Sequence, residues 1–318
     1  MSARILLLVS ALAACAEAPT QGAPEAQAPI EDTSSDLAGE TPERLELDLD
    51  DPLTNAQAFA RVRASLDPDQ QVYFYWTGFI YNHQDVDPTA PGQDGWGTPI
   101  LQFEGYNVAR FEPRGDGVYN MLTREVAVYK NLRGEIIDCW NNNALDADEP
   151  EHVRVVHVQN DPVNFQVTGA DYAELGETIA FRLEVLLSYP SAISVASYPE
   201  YSAGNTYQSV ELFNFYANRA DLEDPTQDSV PAHISWTRFG QYLPWMKMGQ
   251  RPGKLVYHTQ GYKTLDWNDL PEDLRGWVDE NAPGYRDAPS SWSRGGNMTS
   301  WRYFEQMLAE GDYDSACP

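Results

Sequence analysis

Basic residues are scarce in this sequence. Its 318 residues include 21 Lys plus Arg against 48 Asp plus Glu, a formal net charge of -27. Phosphate backbones are neutralised by clustered cations, so the deficit argues against a nucleic-acid partner. It argues equally against electrostatic docking on anionic lipid. Cysteine is scarcer still: Cys15, Cys139 and Cys317 are too few for a disulfide scaffold. The five histidines, His83, His152, His157, His233 and His258, include no pair at i, i+4. His152 and His157 are an odd number apart and would point to opposite faces of one strand. With neither CxxC nor HExxH present, no metal site is read from the sequence. A GxSxG elbow, a Walker sequence and a GxGxxG between strand and helix are all absent, so no nucleotide or other cofactor is expected. The apolar run at residues 5–14 is about ten residues long, too short to span a bilayer as a helix. No repeat recurs at a fixed period.

What is present begins with an address. Arg4 followed by the apolar run reads as an export signal, not as part of the fold. It ends Leu12-Ala13-Ala14-Cys15, which resembles the bacterial lipobox; residues 1–14 would be removed and Cys15 acylated, making the lipid bilayer a partner. The alternative is an ordinary export signal cut nearby, with Cys15 incidental. Ala16, rather than Asp, favours the outer membrane facing the periplasm. Residues 15–52 read as an acidic, disordered tether: positions 16–52 carry 11 acids, one Arg, five Pro and six Ala, which cannot bury enough surface to offset ordering entropy.

Residues 53–318 read as one β-rich domain, long enough for a real core. A short helix is expected over 54–66, capped by Thr54 or Asn55. Strand-like segments follow at 72–81, 100–111, 118–129, 153–158, 164–168, 178–189, 207–217, 233–239 and 254–263. Within 118–129 the alternation is clean: Leu122, Arg124, Val126 and Val128 share one face, and Met121, Thr123, Glu125 and Ala127 the other. Helices are expected from Leu270-Pro271 to about Glu280 and over 297–310. Short connections make neighbouring strands antiparallel. A meander this long removes its edges most simply by closing, so the expected fold is mainly β, an antiparallel barrel of lipocalin-like size with peripheral N- and C-terminal helices.

Several clusters together resemble domain-of-unknown-function family 1838. They are Phe103-Glu104-Gly105-Tyr106-Asn107, Tyr129 with Gly134-Glu135-Ile136 and Trp140-Asn141-Asn142, and Asn160-Asp161-Pro162-Val163-Asn164. Trp236-Thr237-Arg238-Phe239 through Pro244-Trp245-Met246-Lys247-Met248-Gly249, and Gly261-Tyr262-Lys263 with Asp269-Leu270-Pro271, complete the set. The resemblance covers about residues 70–290 and implies no activity. In that family a Pro often follows Trp-Asn, whereas here Asn142-Asn143 and an acidic insertion, Asp146–Glu149, follow Trp140-Asn141.

Charged residues inside apolar strands are the candidate site. Pointing outward they pair across a wet face; pointing inward they define a pocket. Three functions follow. The first is a binding module for a small, partly apolar molecule, oriented by Glu104, Arg124, Trp236, Arg238 and Trp245. The second is an acid–base enzyme of isomerase, cyclase or hydratase type, with Glu104 or Glu125 as base and His258 as proton donor. The third is a structural lipoprotein with a filled interior. Cys139 and Cys317 are either bridged, as an oxidising compartment favours, or two free thiols. The segment 244–253 is either a mobile lid or a packed closure of one end.

Overall fold

The computed structural model describes residue 44 and residues 46–83, 96–145, 151–293 and 296–317. The export signal with Cys15, most of the acidic segment and the Asp146–Glu149 insertion lie outside the described residues.

The first helix, α1 (Pro52–Arg63), is capped by Asp51, three residues ahead of the expected Thr54. The Asp51 carboxylate accepts from the Thr54 backbone N–H and hydroxyl, each at 2.8 Å, and Pro52 supplies a preset first turn. Leu49 is buried, so the last residues of the expected tether pack onto the domain. A helix of twelve residues is marginal in water. Burial of Phe59 and Val62, roughly 1.5–3 kcal/mol each, holds it against the sheet.

The described strands are β1 (Val72–His83), β2 (Trp96–Gly115), β3 (Val118–Lys130), β4 (Cys139–Asn141), β5 (His152–Arg154), β6 (Val158–Asn160), β7 (Phe165–Val167), β8 (Asp171–Leu175), β9 (Thr178–Pro190), β10 (Thr206–Asn218), β11 (His233–Gly240) and β12 (Lys254–Thr264). A short α2 (Arg219–Glu223) follows β10, and α3 (Glu272–Asn281) and α4 (Ser300–Glu310) follow β12. The fold is mainly β. One antiparallel sheet runs in the order β6-β3-β2-β1-β12-β11-β10-β9-β8, with β7 also beside β3; β4 and β5 form a separate ribbon.

The expected barrel is not closed. Among the described residues, β8 at one edge pairs with neither β6 nor β7 at the other. Yet β7 and β8 are consecutive, joined only by Thr168–Ala170, so the two edges come within about 14 Å there. The ladder is replaced by a side chain. Asn55 of α1 donates to the Ala170 carbonyl at 3.1 Å and accepts from the Ala170 N–H at 3.0 Å. Gly169 between the strands has φ +107°, and a Cβ on it would lie 2.7 Å from Asn55 Oδ1. Helix α1 thus satisfies the seam that strand pairing would otherwise have filled.

The sheet curls around one face. Phe103 on β2 and Trp236 on β11 are three strands apart, about 14 Å across a flat sheet. Their ring centroids are 6.0 Å apart. Three glycines on this face permit the tight coiling: a Cβ at Gly78, Gly105 or Gly261 would collide with the carbonyl oxygens of His258, Val126 or Tyr75 on the next strand. The inner face carries the main core, in which Phe59 of α1 packs on Phe181 and Phe215 at 5.4 and 5.7 Å. On the outer face, α3 lays Leu274 and Val278 against Tyr73, Tyr106, Val126 and Val128. The C-terminal tail returns to β5, where Cys317 is bridged to Cys139 (Cα–Cα 5.8 Å) and Arg154 N–H donates to Ser315 at 3.0 Å.

Candidate functional site

Strand register decides which charges meet. On β3, Glu125 lies opposite Asn107 of β2, and on β10, Glu211 lies opposite Arg238 of β11. All four belong to the inner face, as do Trp76, Phe213, Trp236 and Tyr257 through their partners. Arg63 reaches the same face from the end of α1; its guanidinium sits 5.3 Å from the Phe74 ring centroid, with Nη2 3.3 Å from Asn107 Oδ1.

Burial raises the Glu125 carboxyl above the usual range, and the neighbouring Glu211 adds to this; Asn160, Arg63 and Asn107 act in the opposite sense. Asn160 Nδ2 donates to Glu125 Oε2 at 3.3 Å. Burial also raises Glu211, opposed chiefly by Arg238, whose Nε is 3.4 Å from Glu211 Oε1. Arg238 is 6% exposed; Nη2 donates to the Tyr207 hydroxyl at 2.8 Å, and the guanidinium lies 5.0 Å from the Tyr257 ring centroid. Among the described residues several buried donors on this face have no partner: Trp76 Nε1, and Arg63 Nε and Nη1; Trp236 and Asn107 reach toward the carboxyls of Glu211 and Glu125 and act to lower their pKa values. Buried polar atoms are rarely left so. Trp76, Glu125, Leu183, Glu211 and Phe213 all point inward, yet each keeps part of its surface accessible to water.

The residues singled out from the sequence divide between the two faces. Glu125, Trp236 and Arg238 are brought together on the inner one. Trp245 packs at one end of it, 2% exposed, against Tyr129 at 5.3 Å and Trp140 at 5.9 Å. Its segment is packed: Pro244, Met246 and Met248 are buried, and Lys247 pairs with Glu151 and Glu200 at 2.8 and 3.2 Å.

Glu104, Arg124 and His258 lie on the outer face. Glu104 is ion-paired with Lys130 and accepts from the Tyr75 hydroxyl at 2.7 Å; Lys130 also reaches Asp273 of α3 at 2.7 Å. This cluster ties α3 to the sheet. Arg124 bonds Asp161 at 2.8 Å and the carbonyls of Gly284 and Asp287. His258 is exposed in a depression of about 530 Å³ shared with His233, Tyr75 and Tyr262. A second depression, about 560 Å³, lies beside Glu200 and Lys247. Neither coincides with the inner cluster, and both are open surface features. Of the two sequence-derived pairings, Glu125 with His258 is not assembled, because sheet parity sets them on opposite sides; Glu104 and His258 share the outer face, where Glu104 is engaged by Lys130 and Tyr75. Among the described residues no group of three or more His, Cys, Asp or Glu is placed to hold a metal ion.

Residues 69–308 match the model of a family described as "Protein of unknown function (DUF1838)". The chain belongs to this family. No curated protein matches the chain. The family segment contains every strand of the sheet, and with them Asn107, Glu125, Glu211, Trp236 and Arg238. Arg63 stands ahead of it and Cys317 after it.

Two inner-face residues were not singled out from the sequence. Glu211 falls in phase with Phe213 and Phe215, and Arg63 stands four residues after Phe59 on the apolar side of α1. A charge in register with an aromatic stripe was the available signal in both cases.

Proposed function

We propose that the chain is a lipid-anchored envelope protein whose inner sheet face binds a small, partly apolar molecule. Acylated Cys15 would hold it on the outer membrane facing the periplasm. No helix among the described residues is long and apolar enough to cross a membrane, which is compatible with anchoring by lipid. The observation that carries the binding reading is the set of buried donors left without a partner among the described residues on an aromatic face: Trp76 Nε1, and Arg63 Nε and Nη1. Apolar walls with a few converging polar groups are the usual form of a small-molecule site.

Native mass spectrometry of the full chain carrying Cys15→Ser, exported in its own host, tests this. A discrete extra mass that is lost on denaturation supports binding; a bare polypeptide mass counts against it. In the same host the wild-type chain should pellet with membranes and the Cys15→Ser chain should not.

The acid–base reading survives in altered form. Neighbouring carboxyls with raised pKa values, Glu125 and Glu211, are a known arrangement for proton transfer. It would use this pair, without Glu104 or His258. Turnover of a captured ligand that stops in Glu125→Gln would favour the enzyme over the binder.

A further inference from the structure

Three cations gather where α1 ends against the inner face, and two of them are fully engaged. Arg61 donates to the backbone carbonyls of Asp221, Leu222, Asp224 and Gln227. Lys263 Nζ donates to the carbonyls of Arg61 and Ala64, acceptors that a helix C-terminus leaves open. Arg63 differs. It is 8% exposed, with its guanidinium between the Phe74 and Phe215 rings, 5.3 and 5.4 Å from their centroids. Its one hydrogen bond runs from Nη2 to Asn107 Oδ1, and Nε and Nη1 have no partner. Among the described residues no carboxylate forms an ion pair with it; Glu125 acts on it from farther away. A buried guanidinium left in this state is costly unless something completes it.

We infer that the ligand completes it: the inner face takes a carboxylate-bearing, partly apolar molecule. The carboxylate accepts hydrogen bonds from Arg63 Nε and Nη1, while the apolar part lies among Trp76, Phe213 and Trp236. The inference rests on the inner-face binding reading and adds the charge of the ligand to it. A single negative charge fits the site. Glu211 already has Arg238 as its counterion. Glu125 accepts from Asn160 Nδ2 at 3.3 Å and makes no ion pair with Arg63 among the described residues. Arg63 is thus the guanidinium on this face whose donors are still to be matched; Lys263 also makes no ion pair among the described residues, but it donates to two carbonyls, and burial beside Arg63 and Arg61 lowers its pKa. A dianionic phosphate would set a second charge beside two carboxyls.

Three probes that share one naphthyl ring test this by calorimetry at neutral pH on the full-length Cys15→Ser chain: 2-naphthoate, its isostere 2-naphthamide, and 2-naphthyl phosphate. Naphthoate should bind at least about tenfold tighter than the amide. That advantage should vanish in Arg63→Met. Asn107→Asp guards against a misfolded Arg63→Met: it keeps the side-chain shape and gives Arg63 an internal counterion, so it should weaken naphthoate more than it weakens the amide. Equal affinity for acid and amide overturns the inference while leaving inner-face binding intact. Tighter binding of the phosphate overturns the carboxylate class. If none of the three binds, the inference fails, and the mass measurement alone then decides the binding reading.

Discussion

Asn55 and Ala170 exchange two hydrogen bonds, at 3.1 and 3.0 Å, where the two edges of the sheet approach without pairing. The same Asn55 amide also donates to the Leu49 carbonyl at 3.2 Å. One side chain therefore joins the N-terminal segment, the first helix and the β7–β8 crossing. Asn55→Leu leaves the Ala170 N–H and two carbonyls without that partner and should destabilise the chain by about 1–3 kcal/mol. Equilibrium denaturation measures this. A change below about 0.5 kcal/mol would mean that water substitutes freely and that the seam is not a structural joint.

Glu104 is expected to matter for stability and not for ligand. Replacing it by Gln leaves Lys130, 6% exposed, with the half-exposed Asp273 as its remaining counterion. The expected cost is on the order of 2–3 kcal/mol. Occupancy of the inner face should be unchanged, since the side chain lies on the other side of the sheet. A folded Glu104→Gln chain that loses its ligand would contradict this assignment.

His157 gives an acid-side signature. Burial lowers its pKa to about 4, its Nδ1 accepts from the Tyr129 N–H at 3.1 Å, and Trp277 and Tyr129 cover its ring. An unfolded chain binds a proton at the ordinary histidine value of about 6.5. Between those values the unfolded state is the more protonated, so stability falls as pH drops from about 6.5 to about 4. The full window is worth about 3 kcal/mol. In His157→Asn, which keeps an acceptor near the position of Nδ1, that slope should flatten. An unchanged slope would assign the acid sensitivity to other groups.

Glu125 shows the opposite sign. Its folded pKa is raised, so its contribution is fully present below the unfolded carboxyl value and is lost as pH rises through the folded one. The groups facing it are Arg63 from α1, Asn107 from β2, Asn160 from β6 and Glu211 from β10. Glu125→Gln removes the cost of ionising there. The variant should match the wild type in acid and exceed it in stability as pH rises, with naphthoate affinity retained. A variant less stable than the wild type at every pH would show that the ionised carboxylate is a structural partner.

Much of this was legible in the sequence. The alternation of Met121, Thr123, Glu125 and Ala127 against Leu122, Arg124, Val126 and Val128 is the partition the sheet makes. Nearly every long strand lies where its apolar run lies. Alternation sorts side chains into two sets without saying which set faces inward, so Glu104 and Glu125 looked alike. The same parity separated His258 from Glu125. Strand β8 was missed because Asp171-Tyr172-Ala173-Glu174-Leu175 is a largely polar edge. Closure failed for a reason no periodicity records: a side chain of α1 satisfies the seam.

The link between Cys139 and Cys317 also sets an order in time. Cys317 lies 178 positions after its partner. The ring it closes holds β5 through α4, so it cannot form until all of those elements have been made. Until then Cys139 stays a free thiol, and α4 is held by packing alone. In a cell that exports this chain, that covalent step depends on the oxidising machinery of the destination. A chain truncated after Ala316 keeps every described strand and forfeits the step altogether.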